Sequence, residues 1–207
     1  MEYAIKDLYP TPVYFGLVEN KDEIQKEFSD CIGEIDFNYS KSFGQTHHLS
    51  DPTFKEHLFE KYKIEKFVDE LKKHLGIYMS HMGFQLSGFS FESSWISLYR
   101  KGDYAHVHHH GGVDISGAYY HKINKEDGDG QFFFTSPNLA LDTSLMGKKF
   151  GGRIPVPPEE GALLLFPGWL PHGVETHQLD VERIVVSFNI HVQGQMMDEE
   201  MLSKLYK

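Results

Sequence analysis

The hydrophobic pattern changes period near residue 84, and that change constrains the fold more than any other feature of the chain. Between residues 55 and 82 the apolar side chains of Leu58, Phe59, Tyr62, Phe67, Val68, Leu71, Leu75, Tyr78, Met79 and Met82 recur at three and four, the spacing that lines one face of a helix. From Gln85 onward that spacing is lost. Leu86, Phe89, Phe91, Trp95, Ile96, Leu98 and Tyr99 sit among serines and glycines, a composition that suits strands. Further strands are predicted over residues 115–123, 131–135, 162–166 and 183–192, with Asp127-Gly-Asp-Gly130 as the turn of a hairpin joining 115–123 to 131–135. Shorter helices are predicted over 21–31, where Ile24 and Phe28 are four apart, and over 197–205. A mainly β core between flanking helices follows: 1–84 as a helical support with an early strand, 85–193 as the core, and 194–207 as a C-terminal helix. For 207 residues one domain is the expectation.

Charge and composition narrow the partners. Lys and Arg number 20 against 30 Asp and Glu, a net charge of −10, which works against a phosphate backbone, so non-specific nucleic-acid binding is not expected. The most apolar stretch, 161–171, is far shorter than the roughly 18 residues of a membrane span, and residues 1–8 lack the apolar run of a secretory signal. No membrane association and a cytoplasmic location are expected. Cys31 is the single cysteine, which excludes an internal disulfide and reads first as a small apolar filler. A homodimer remains open. Residues 136–160 carry Pro137, Gly147, Gly151, Gly152, Pro155, Pro157 and Pro158, a connection longer than the usual ceiling of about 15 residues. It reads as a lid over a sheet face, or else as a surface excursion, and its Lys148, Lys149 and Arg153 either meet an acidic substrate or are simply solvated.

Four of the 13 histidines fall between Ala105 and Gly111. In a strand, residues i and i+2 share a face, so His106, His108 and His110 are expected to project together and His109 away from them. At about 3.3 Å per residue the outer two Cα atoms stand roughly 13 Å apart, too far to share an ion held at about 2.0–2.2 Å, so only an adjacent pair can chelate. His172 is a third candidate, set after an apolar strand in Phe166-Pro-Gly-Trp-Leu-Pro-His172, where a prolyl turn should put it at the end of the sheet. Eleven residues on, Arg183 opens the apolar run Arg-Ile-Val-Val-Ser-Phe-Asn189. A guanidinium there needs an anionic partner, either a ligand or Glu182 or Glu175.

His108-x-His110, Asp114-Ile-Ser-Gly-Ala-Tyr-Tyr120, Gly161-x4-Phe-Pro-x-Trp-x2-His172 and Arg183-x3-Ser-Phe-Asn189, in that order, resemble the Fe(II) and 2-oxoglutarate dioxygenases of bacteria and phages, and Leu8-Tyr-Pro-Thr-Pro-Val-Tyr14 is similar to that family's start. The resemblance implies a double-stranded β-helix, or jelly roll. It implies an enzyme that uses Fe(II), O2 and 2-oxoglutarate to hydroxylate a substrate, releasing succinate and CO2. It also implies His108, His110 and His172 as iron ligands, Arg183 as the partner of the distal carboxylate of 2-oxoglutarate, and Tyr120, or less so Tyr119, as a hydroxyl donor to it. The wider superfamily has a carboxylate where this chain has His110, so Asp114 stands as the alternative second ligand. With Asp114 in that role the chain reads as a cupin-like metalloenzyme of another reaction type. A non-catalytic jelly-roll binding module is the remaining rival. Trp95, Tyr99, Phe133, Phe166 and Trp169 are candidates for an apolar wall around the iron, while His47, His48, His106, His109 and His121 either shape a pocket or lie on the surface.

Overall fold

Residues on alternate sides of one long strand face two different interiors, and that organises the molecule. In the computed structural model, which describes residues 10–41, 45–51, 53–54, 57–137, 152–157 and 159–198, strand β4 runs unbroken over Phe84–Tyr99. Its full length pairs with β11, Arg183–Met196, so the predicted strand 183–192 extends four residues further. Ile96 and Leu98 of β4 and Ile184, Val186, Phe188 and Ile190 of β11 pack on one side in a core shared with the helices. Tyr99 and Val185 face the other side, into a second core. With both faces covered, β11 opens on the unbroken apolar run Ile184-Val185-Val186, while β4 keeps serines among its apolar residues.

The remaining strands are β1 (Tyr14–Leu17), β2 (Asn38–Ser40), β3 (Gln45–Leu49), β5 (Tyr104–His108), β6 (Ile115–Lys122), β7 (Phe132–Phe134), β8 (Ile154–Pro155), β9 (Ala162–Pro167) and β10 (His172–Val174). A major sheet has the order β1-β9-β6-β11-β4-β3 and a minor sheet the order β5-β10-β7-β8, with every pairing between named strands antiparallel. Strand β3 pairs with both β4 and β5 and so stitches the two sheets together along one side. The result is a double-stranded β-helix whose second core lies between the sheets. Among the described residues, the chain before β4 supplies three strands where one was expected.

Helices α1 (Lys21–Ile32) and α3 (Glu65–His81) cover the outer face of the major sheet. Ile24 and Phe28 of α1 and Phe67, Leu71 and Leu75 of α3 are fully buried, and the Phe28 ring lies on Tyr119 of β6 at 5.3 Å. The single helix predicted over 55–82 is instead two: a short α2, Leu58–Lys61, precedes α3, and Lys63 between them takes a left-handed φ of 53°. The break has a packing cause. Along one helix Phe59 and Phe67 would stand about 12 Å apart, yet their rings lie 5.4 Å apart and each reaches Phe188 at 5.9 Å.

The hairpin expected at 127–130 does not form. Both edges of β6 are taken, by β11 and β9, so the turn carries the chain across to the minor sheet, where β7 pairs with β10 and β8. Part of the expected loop 136–160 is strand β8, and Val156 beside it is buried. Its lid role, with Lys148 and Lys149, lies outside the described residues. So does the predicted C-terminal helix beyond 198, of which Met197 and Asp198 have no regular structure.

Candidate metal centre and cosubstrate pocket

His108 ends β5, His110 lies two residues past that end, and His172 opens β10. Strand parity alone would have put His106 beside His108. It does not, because β5 bulges: His172 faces His108 and Val174 faces Ala105, so three steps on β5 oppose two on β10. A bulge of this kind shifts every later side chain to the other face. Ala105 and His108 therefore both point between the sheets, while His106 and Val107 line a groove of about 470 Å³ on the outside of the minor sheet.

The turn between β9 and β10 brings His172 to the same place. Gly168 accepts a hydrogen bond from the His110 N–H at 2.8 Å and donates to the Asp114 carbonyl at 3.1 Å. The turn before one histidine is thus tied to the loop that holds another. His172 is at a strand end, as expected, but laterally it is interior, with β5 on one side and β7 on the other.

The three imidazoles stand with ring centroids 4.4 to 5.2 Å apart and with one ligating atom of each within 4.8 Å of the others. Each has its Nδ1 engaged: His108 donates to the His106 carbonyl at 2.7 Å, His172 to the Leu170 carbonyl at 2.8 Å, and His110 meets Asn189 Oδ1 at 2.6 Å and Ser116 Oγ at 3.0 Å. All three Nε2 atoms are left for a ligand. Burial, then the neighbouring imidazoles, lowers the pKa of each ring: His110 to about 4, His172 well below its ordinary value, and His108 in the same direction, where its carbonyl contact opposes the shift. Neutral rings are the form a metal binds. Among the described residues no other group of this kind converges on a common point.

Arg183 shares a cavity of about 50 Å³ with the histidines. It is 1% exposed. Neither Glu182 nor Glu175 is its partner, since these pair with Arg100 and Arg153. Its anion is Asp129, but Nε lies 3.9 Å from the carboxylate, and Nε and Nη1 are both buried without a hydrogen bond. Two tyrosine rings flank the guanidinium, Tyr99 at 5.3 Å and Tyr120 at 5.5 Å. The Tyr120 hydroxyl is buried without a partner, and burial pushes its pKa to about 12 despite the opposing Arg183 charge, so it remains a donor. Tyr119 points the other way, into the helix-side core.

Asp114 does not join the histidines. Its Oδ2 accepts the Val192 N–H at 2.9 Å and lies 3.6 Å from His191. Of the expected aromatic wall, Trp95, Tyr99 and Phe166 line the cavity. Phe133 faces the outer groove under Arg153 and Trp169 is half exposed; Phe132, stacked on His172 at 5.4 Å, takes their place. Of the five uncommitted histidines, His47 alone lines the cavity, stacked on Tyr99 at 5.0 Å with its Nδ1 buried and unpartnered. Nothing in its local sequence marks it; stitching by β3 puts it there.

These residues fit a divalent metal with a carboxylate-bearing ligand beside it: three neutral imidazoles and an under-satisfied guanidinium line one cavity, and Tyr120, its hydroxyl unpartnered, lies against that guanidinium. No curated protein sequence matches the chain. Residues 93–189 match the family model described as "Putative 2OG-Fe(II) oxygenase". Among solved structures, a prolyl-4-hydroxylase of Pseudomonas putida superposes with a TM-score of 0.59 at 17% identity, covering 89% of this chain and 94% of that one. HygX of Streptomyces hygroscopicus, with nickel and 2-oxoglutarate bound, gives 0.61 at 13%, covering 87% and 83%. A Trichoplax adhaerens prolyl hydroxylase in complex with a hypoxia inducible factor peptide gives 0.58 at 13%, covering 93% and 86%. These likenesses place the fold, and no described helix is long and apolar enough to cross a membrane. The stretch that matches the 2OG-Fe(II) oxygenase family model, residues 93–189, carries the three histidines, Arg183 and strands of both sheets.

Proposed function

We propose that His108, His110 and His172 hold Fe(II), that Arg183 takes the distal carboxylate of 2-oxoglutarate, and that the chain thereby hydroxylates a substrate with release of succinate and CO2. The observation that carries this reading is the convergence of one ligating nitrogen from each of three histidines in one cavity with a buried, under-satisfied arginine. Three protein ligands on one face would leave room for a bidentate 2-oxo acid and O2. Fe(II) bound there would supply the oxidative chemistry, coupling O2 and 2-oxoglutarate to transfer of one oxygen atom to the substrate.

The chain's own groups do the rest. The carbonyls of His106 and Leu170 fix two rings in the tautomer that presents Nε2. Arg183 supplies charge-assisted donors with no reorganisation, because its Nε and Nη1 already lack hydrogen-bond partners. Tyr120, kept protonated, adds a hydroxyl beside them. Trp95, Phe132 and Phe166 exclude water around the histidines. We place the enzyme in the cytoplasm, where the buried free thiol of Cys31 stays reduced.

Anaerobic addition of Fe(II) and then 2-oxoglutarate should produce a weak visible charge-transfer band, and admission of O2 should convert 2-oxoglutarate to succinate. No band and no 2-oxoglutarate binding would refute the assignment.

A further inference from the structure

Two polar residues of the strand motifs, Ser116 and Asn189, take no direct part in the chemistry above. The sheet register places them together. Asn189 of β11 faces Ser93 of β4 on one side and Ser116 of β6 on the other, so the three form a single row across the inner face of the major sheet. They are 8%, 8% and 1% exposed. Within the row the Ser116 hydroxyl donates to Asn189 Oδ1 at 2.7 Å, and Asn189 Nδ2 donates to Ser93 Oγ at 3.1 Å. Among the described residues, the side chain they serve outside the row is His110, whose Nδ1 lies 2.6 Å from Asn189 Oδ1 and 3.0 Å from Ser116 Oγ.

We propose that Ser93, Asn189 and Ser116 are positioning residues that let a neutral imidazole occupy the second metal position, a reading that rests on the metal site proposed above. An imidazole that offers its Nε2 lone pair must carry its proton on Nδ1, and a buried N–H needs an acceptor. His108 and His172 both use a backbone carbonyl two residues earlier. His110 has no such local solution. Its ring turns toward β11 and β6, whose facing backbone groups are paired in the ladder, so the acceptor has to come from a side chain. A carboxylate ligand would bring no N–H and would need no such acceptor.

Asparagine suits the task only in one orientation. With Oδ1 toward His110 the ring proton sits on Nδ1. With the amide reversed, Nδ2 would face Nδ1, and the proton would move to the nitrogen that meets the metal. Ser116, donating into Oδ1, and Ser93, accepting from Nδ2, hold the productive orientation from both sides. Because the acceptor is an amide and not a carboxylate, the imidazole is not drawn toward a charged pair, and all three ligands stay neutral.

The test is metal affinity, with Co(II) as a spectroscopic probe of the complete chain in the absence of 2-oxoglutarate. Asn189→Leu, similar in size but without an acceptor, should bind Co(II) roughly 10–100-fold more weakly and show a changed visible spectrum. Asn189→Asp, which keeps the acceptor, should stay within a few-fold of the parent. Ser116→Ala should lose a few-fold and serves as the second reading if the leucine variant does not fold. In a His110→Ala background, Asn189→Leu should add no further loss. Parent-like affinity and spectrum in Asn189→Leu and Ser116→Ala would overturn the inference, as would an equal loss with and without His110. If instead His108→Ala, His110→Ala and His172→Ala all bind Co(II) like the parent, the metal site itself is wrong, which separates that failure from a failure of the row.

Discussion

Arg183 shows how a single residue can be costly to the fold and still belong there. A guanidinium at 1% exposure, with its nearest carboxylate 3.9 Å away and two N–H groups unpartnered, forgoes about 1–3 kcal/mol for each unsatisfied buried group. A ligand that supplies the missing acceptors recovers that energy on binding. Arg183→Ala should therefore weaken 2-oxoglutarate binding by about 10–100-fold, the worth of hydrogen bonds between charged groups, while leaving Co(II) affinity within a few-fold. Tyr120→Phe removes one neutral donor and should cost about 2–10-fold. Anaerobic titration of the Fe(II) enzyme with 2-oxoglutarate measures both. Unchanged affinity in Arg183→Ala would mean that the residue serves only Asp129 and the fold.

At the scale of elements, two local irregularities assemble the histidines. The bulge in β5 turns His108 inward and His106 outward, and the turn after β9 docks on the loop that follows β5. That docking requires a glycine: a Cβ on Gly168 would meet the Val113 carbonyl at 2.6 Å and the His110 carbonyl at 2.9 Å. Both are backbone atoms, so one segment must move. Gly168→Ala should separate His110 from His172 and lower Co(II) affinity by at least about 10-fold, since ligand geometry tolerates only a few tenths of an ångström. The thermal midpoint of the metal-free protein should fall as well, with a shift of several degrees for about 1–2 kcal/mol. Full metal affinity in Gly168→Ala would show that the turn is not what aligns the pair.

For the molecule as a whole, buried neutral imidazoles link stability to pH. Burial, followed by the charges of His108 and His48, lowers the His47 pKa to about 4, and burial lowers that of His121 to about 4 against an opposing Glu160. In the unfolded chain both return to about 6.5. Between about pH 6.5 and 4 the unfolded state binds more protons than the folded state, so stability rises with pH across that window and is lost as pH falls through it. Each such histidine contributes up to about 1.4 kcal/mol per pH unit there. Denaturant unfolding of the metal-free protein should give a markedly lower midpoint at pH 5 than at pH 7, and His47→Phe should narrow the difference. Equal midpoints at the two pH values would contradict the burial of these rings.

Much of this organisation is written locally. Hydrophobic period marks β4, β6, β9, β11 and both main helices, because a strand or helix must present apolar side chains at its own repeat wherever it is buried. Even spacing alone puts Arg183 and Asn189 on one face of β11. The family motifs name His108, His110 and His172 as candidates. What no local pattern contains is which sheet each strand joins, the bulge that parts His106 from His108, the turn at Gly168 that brings His110 to His172, or the arrival of His47 and Ser93 from other strands. Those are matters of register and docking between segments tens of residues apart. A hydrogen-bond ladder is indifferent to the identity of most side chains it carries, so only the packed structure decides which of them meet.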